Sequence, residues 1–271
     1  MILRRITEHV KAENWFAVGV DFLIVVVGVF IGIQVSNWNE ERADLRRGEQ
    51  FVERLIADLT RDHRQRTELL AYYDQVSTSA IRAIALLNAP SANDRELVVN
   101  SYRATELAYD PQTRATWDEI VSSGEIGLLP RVAVEQGLNL YFSVDVAEQT
   151  RQEISNSRLR SHVRSIVPHD VQAAIRAGCS DIVASDGRVL GFVEECRLDV
   201  PPEAIAVAAE TLKADAQLLQ FLTLHVSALA SARNNLGGDI FSIGRSLELL
   251  RDAGDAGAQR EDKQAAGGSQ Q

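Results

Sequence analysis

Residues 15–41 read WFAVGVDFLIVVVGVFIGIQVSNWNEE, and this stretch decides how the chain begins to fold and where it resides. Across the 20 residues from Phe16 to Val35, only Asp21 and Gln34 are polar. At a helical rise of about 1.5 Å per residue, such a run covers the roughly 30 Å of a bilayer's hydrocarbon core. Trp15 and Trp38 bracket it, where indole rings favour the headgroup region. A cleaved signal peptide would have a shorter apolar run and a small-residue cleavage site, and Ser36-Asn37-Trp38-Asn39-Glu40 is a poor one. A buried helix of a soluble protein is the remaining alternative. Length and flanks predict a transmembrane helix over 15–38, with the lipid bilayer as its partner.

One face of this helix differs from the rest. Asn14, Asp21, Gly28, Gly32 and Asn39 are spaced 7, 7, 4 and 7 residues apart. At 100° per residue they fall within about 20° of a common line. Gly28-x-x-x-Gly32 is the small-residue spacing that lets two helices approach closely. Asp21 is the only acid in the span, and a carboxyl in a bilayer should face protein or be protonated. Two readings stand. Asp21 reaches the near interface and the glycines are incidental, or Asp21, Gly28 and Gly32 contact a second helix, in a homo-oligomer or another membrane protein.

The chain has a net charge of −10, which argues against nucleic acid as a partner, since phosphate binding needs a concentrated basic face. Lysine occurs only at Lys11, Lys213 and Lys263, and arginine supplies the rest of the positive charge. This reads as genomic base bias. Arg4, Arg5 and Lys11 precede the span and Arg42, Arg46 and Arg47 follow it, so positive charge leaves the orientation close to a tie.

Beyond the span, no proline, and no glycine before Gly48, interrupts the helix, which should continue as a stalk. Leu45, Val52, Leu59, Tyr73, Ala80 and Leu87 recur at seven-residue intervals or multiples of them, with Leu55, Leu69 and Val76 as a second row. The seam breaks at Asp62 and Arg66. A coiled coil and a helix packed within its own domain both fit, and the short clean stretches favour the intramolecular bundle. The helix should stop by Asn88-Ala89-Pro90. Asn93-x-x-Glu96 predicts a capped helix to about Ala108. Thr113 predicts a short helix over Arg114–Ser122 closed by Gly124, and Pro130 a long one ended by Pro168. Pro201-Pro202 opens a last helical section, which Gly237-Gly238 kinks or breaks. From 253 to 271 the composition predicts a disordered tail.

Between Cys179 and Cys196 the texture changes. Ile182-Val183-Ala184 and Val189–Val193 flank Ser185-Asp186-Gly187, which predicts a small β-hairpin with an Asp-Gly turn. The cysteines lie almost symmetrically about that turn. They are either a disulfide closing the hairpin, adding about 3 kcal/mol in the chain-entropy model, or two buried free thiols. A disulfide needs an oxidising compartment, which agrees with a short cytoplasmic N-terminus and an external domain.

No strong catalytic motif is present: no G-x-S-x-G, no phosphate-binding loop, no H-E-x-x-H. His162 and His169 sit seven apart with no acid at ligand spacing, and read as solvated helix residues. Glu194-Glu195 and Asp199 read as an acidic rim, and Ser122-Ser123-Gly124 as a helix end. No metal or cofactor is predicted.

Gln34, Asn37, Trp38, Asn39 and Glu40 form a Gln-x-x-Asn-Trp-Asn-Glu junction at the span's exit. Thr116-Trp117-Asp118-Glu119-Ile120-Val121-Ser122-Ser123-Gly124-Glu125 and Tyr141-Phe142 follow. Together these resemble a bacterial family of uncharacterised single-span membrane proteins, over about residues 15–145. The family more often has Glu where this chain has Asp21, and the Cys179–Cys196 hairpin departs from it. The resemblance implies a membrane-anchored helical protein and brings no activity to transfer.

The fold expected is therefore mainly α. A short segment (1–14) precedes a transmembrane helix (15–38), then a helical domain (39–252) with a hairpin at about 179–196, then the tail. The expected location is the inner membrane, single-pass, with the bulk of the chain periplasmic. The function expected is non-catalytic partner binding or assembly in the bacterial envelope. An extracytoplasmic ligand sensor acting through a partner, or an enzyme of unknown class, are the alternatives.

Overall fold

A single helix, α1, spans Trp15–Leu87, so neither Gly48 nor the polar positions beyond it end the helix. The computed structural model describes residues 15–268, with side chains for residue 20 and residues 22–254. Asn14 and the Asp21 side chain fall outside the described residues. The chain forms two units, Met1–Phe51 and Val52–Gln271.

In the first unit, the apolar part of α1 is bare. Phe22 is 70% exposed and Phe30 61%. The most apolar 18-residue window has a mean hydropathy of 1.7 and none of it is buried. Among the described residues this is the one helix long and apolar enough to cross a membrane by length and composition. Past the apolar run, the Arg42 guanidinium stacks 3.8 Å from the Trp38 ring centroid, one helical turn away.

The second unit is a helical bundle. After α1 come α2 (Asp94–Arg103), α3 (Ala115–Ser123) and a 3-10 turn (Glu125–Leu128). Next is α4, built of Arg131–Ala133, a π-helical turn Val134–Leu138 and Asn139–Ser143. Helices α5 (Val146–Ser155), α6 (Arg158–Ile166) and α7 (His169–Gly178) follow. Strands β1 (Asp181–Val183) and β2 (Val189–Phe192) pair antiparallel. Helices α8 (Pro202–Ala214) and α9 (Leu218–Gly268) complete the chain.

The seam on α1 turns inward. Leu55, Leu59, Leu69, Tyr73, Val76 and Ala80 are fully buried, which supports the intramolecular bundle. Asp62 and Arg66 do not break that seam, because both are fully buried within it. Asp62 accepts from Thr113 N (3.0 Å), Thr113 Oγ1 (2.5 Å) and Tyr141 Oη (2.5 Å). Arg66 donates from Nε to Asp239 (3.0 Å) and from Nη1 to the Asp110 carbonyl (2.9 Å), and its Nη2 lies 3.8 Å from Asp145. Buried charges persist only when paired in this way.

Local chemistry explains where the predicted helices differ. Asn93 caps α2 by accepting from Glu96 N (3.1 Å), but the helix ends at Arg103, short of Ala108. Thr113 serves Asp62 instead of capping α3, which closes on Gly124 as expected. The long helix from Pro130 to Pro168 is instead three pieces. Asp145 and Ser157 each act as an N-cap, accepting from Glu148 N (3.0 Å) and Arg160 N (3.2 Å), and so restart the helix. Pro168 ends one helix and opens α7. Asp215 likewise caps α9 and separates it from α8. Gly237-Gly238 does not interrupt α9, whose bounds extend to Gly268, past the 253 at which the composition placed the tail.

In the hairpin, Gly187 N donates to Ala184 O (3.0 Å) with Gly187 at φ +88°. This is a three-residue loop whose left-handed position demands glycine.

His225 on α9 is 2% exposed, and neither ring nitrogen makes a well-formed hydrogen bond among the described residues. Burial pushes its pKa from 6.5 down to about 4, against the opposing effect of the Ala104 backbone. Its stabilising contribution is thus complete above about 6.5 and is lost as pH falls towards 4. Asp239 acts oppositely. Burial, opposed by Arg66, raises it from 3.8 to about 6, so its contribution is full below the lower value and is lost as pH rises through the upper one.

Two outcomes follow in denaturant unfolding. Arg66→Met, which strands Asp239 and Asp145, should cost about 3–5 kcal/mol, and a loss under about 1 kcal/mol would show that the network is dispensable. Between pH 7 and 4, wild type should lose up to about 3 kcal/mol relative to His225→Leu. Parallel stability curves for the two proteins would show that His225 titrates normally.

Candidate functional site

The second unit carries a cleft of about 260 Å³ where the C-terminal turns of α2 and α7 meet the start of the hairpin. Tyr102, Arg103 and Glu106 line it from one side, Ile175 and Arg176 from another, and Cys179, Ser180 and Asp181 close it. Arg103 and Arg176 each stand in the last turn of a helix, where a cation offsets the partial negative charge of the terminal carbonyls.

Backbone approach builds the wall. Gly178 packs so tightly on Arg197 that a Cβ there would sit 1.7 Å from the Arg197 carbonyl oxygen. Arg197 N in turn donates to Gly178 O (2.9 Å), and Val193 N to Ser180 O (3.1 Å). Cys179 and Cys196 form a disulfide just outside the base of the hairpin, with Cα atoms 4.4 Å apart. The pair therefore closes the hairpin without lying within its strands. Helix α2 grips both ends of this structure. Arg95 donates to the Cys196 carbonyl, and Arg103 Nη2 donates to the carbonyls of Cys179 (3.3 Å) and Val193 (2.8 Å). The Arg103 guanidinium also lies over the Phe192 ring at 4.7 Å.

The charges in the cleft are held but not cancelled. Asp181 Oδ1 accepts from Tyr72 Oη (3.1 Å). Burial raises the Asp181 pKa, as does Glu106, while Tyr72 and Arg103 act against the rise. Burial lowers that of Arg103, against the attraction of Asp181. Arg176 Nη1 donates to Tyr102 Oη (2.9 Å) and is otherwise exposed. Glu106 is satisfied by Arg164 at 2.9 Å and Arg160 at 3.9 Å. Arg103 Nε is buried without a hydrogen-bond partner among the described residues. Such an arrangement can orient a small polar molecule. It has no nucleophile beside a base, because Cys179 is oxidised and Ser180 has no basic side chain bonded to it among the described residues.

Of the residues singled out from sequence, the structure brings only Cys179 to this cleft, with Cys196 behind it. Gln34, Asn37, Trp38, Asn39 and Glu40 are exposed along α1. A Cβ at Gly28 or Gly32 would meet nothing within 4 Å. Glu194, Glu195 and Asp199 are exposed. His162 is not simply solvated. It lies 2.8 Å from Asp215, an acid 53 positions away that spacing rules do not find, and against Phe221. Arg103, Glu106, Arg176 and Asp181 were not anticipated. The only sequence signal for them was arginine in the final turn of two helices.

No family model, no curated protein and no solved structure matches this chain.

Proposed function

We propose that this chain is a single-span bacterial inner-membrane protein whose periplasmic helical domain binds a small ligand and catalyses nothing. The charged cleft walled by the disulfide carries this reading: it is concave, its charged groups are fixed by hydrogen bonds, and it lacks a nucleophile–base pair. The bare apolar stretch of α1 supports the anchor, because so large an exposed apolar surface needs lipid or protein to cover it. The disulfide supports an oxidising compartment. The junction from Gln34 to Glu40 supports kinship with the single-span family that it resembles.

A topology reporter on the C-terminal tail should report the periplasm, and alkylation of non-reduced membranes should find no free thiol. Native mass spectrometry of the detergent-extracted chain should show a small molecule that is lost in Ser180→Trp, which fills the cleft. A cytoplasmic reporter would reverse the topology, and identical spectra from the two proteins would remove the ligand site.

A second reading concerns the membrane. The Gly28-x-x-x-Gly32 spacing, on the face that carries Asp21, supports a close helix contact with a second copy or another span. Single cysteines at Gly28 should crosslink in membranes well above those at Val26, on the opposite face. Equal yields would end the idea.

A further inference from the structure

Arg103 and Asp181 line one cavity, half-buried, and each shifts the other's ionisation, yet they form no ion pair. Elsewhere in the domain, cations close on their acids: Arg66 on Asp239 at 3.0 Å, Arg164 on Glu106 at 2.9 Å and Arg54 on Glu119. Here the two are held apart. Arg103 is tied back by two backbone carbonyls, and Asp181 by the Tyr72 hydroxyl. The second oxygen of Asp181 takes no hydrogen bond among the described residues. Each group is thus committed elsewhere, Arg103 to the hairpin backbone and Asp181 to Tyr72 on α1.

The balance of charge narrows what fills the gap. Glu106 is also met by Arg164 and Arg160, and its charge still bears on Asp181. The cleft therefore presents two guanidinium groups, Arg103 and Arg176, and two carboxylates, Asp181 and Glu106. A lone amine would meet Arg103 and Arg176, and a lone carboxylate would meet Asp181 and Glu106. A molecule bearing both charges satisfies each end. The volume, about 260 Å³, lies below the roughly 300–1,000 Å³ of pockets for drug-sized ligands, so the molecule is small.

We propose that the cleft holds a small zwitterion of the free amino-acid class, its carboxylate on Arg103 and Arg176 and its ammonium on Asp181. This rests on the reading of the cleft as a ligand site and adds the ligand's chemistry. Arg176 contributes a charge from an exposed position, and Asp181 sets the preference for an ammonium group.

The test uses the full chain in detergent, with L-alanine, propionate and ethylamine as probes, read by thermal shift and calorimetry. Alanine should raise Tm in a concentration-dependent way and bind at least tenfold more tightly than either single-charge probe. Asp181→Asn, which keeps an acceptor for Tyr72, should remove that advantage and leave propionate binding intact. Arg176→Gln, at an exposed site that leaves the fold alone, should weaken alanine and propionate together. Propionate binding as tightly as alanine, or an alanine advantage that survives Asp181→Asn, overturns the proposal. Should alanine fail to bind while a native small molecule is still lost in Ser180→Trp, the zwitterion is wrong and the ligand site stands. Should both fail, the site itself is refuted.

Discussion

The buried guanidinium of Arg66 is the constraint on which the helical domain depends. It is fully buried on α1, and its partners come from the Asp110 loop, the cap of α5 and the middle of α9. A desolvated cation with a missing partner is far more costly than one in water, so these segments hold one arrangement around it. Asp62, one turn earlier, extends the constraint to Thr113 and to Tyr141. Tyr141 reaches it from α4, where Gly137 in the π-helical turn lets the backbone of α9 at Ser246 come within 3.2 Å of where a Cβ would stand. Nonpolar burial supplies the driving force, and these polar partners select which packing forms.

How much of this could be read beforehand depended on the range of the interaction. The long apolar helix, the Asn93 cap, the Gly124 stop and the Ser185-Asp186-Gly187 loop rest on residues close in sequence, and each was legible. Asp62 and Arg66 were visible only as a defect in an apolar seam. Their partners lie 44 to 173 positions away, and no local pattern marks Asp110 or Asp239 as the other half of a pair. Asp145, Ser157 and Asp215 were missed for a different reason. A capping residue inside an apolar-periodic run resembles an ordinary polar-face residue until the backbone turns there. The cleft was least legible, since its charged residues come from three separate elements and share no spacing.

The scarcity of lysine also takes on a physical meaning. Of 28 basic residues, only Lys11, Lys213 and Lys263 are not arginine, whatever the genomic reason. The fold uses what arginine alone provides. Arg66, Arg103 and Arg114 each address two or more acceptors from one planar group, and Arg103, Arg114 and Arg164 also lie over aromatic rings. An ammonium is a compact, strongly hydrated point charge, and it could not lie flat on Phe192.

The two arginine-centred sites differ in how their charges are met. Around Arg66 the closest acid is paired at hydrogen-bond distance. Around Arg103 the contacts are to backbone carbonyls, and the nearby carboxylate is restrained by a tyrosine. A network serving stability alone gains by closing such a pair, because each unmatched charge costs desolvation free energy. The fold instead fixes the two charges separately, with a disulfide and a glycine that admits no side chain holding the hairpin in place. Preorganised, unmatched charge in a concave site is what binding requires and what packing alone would remove.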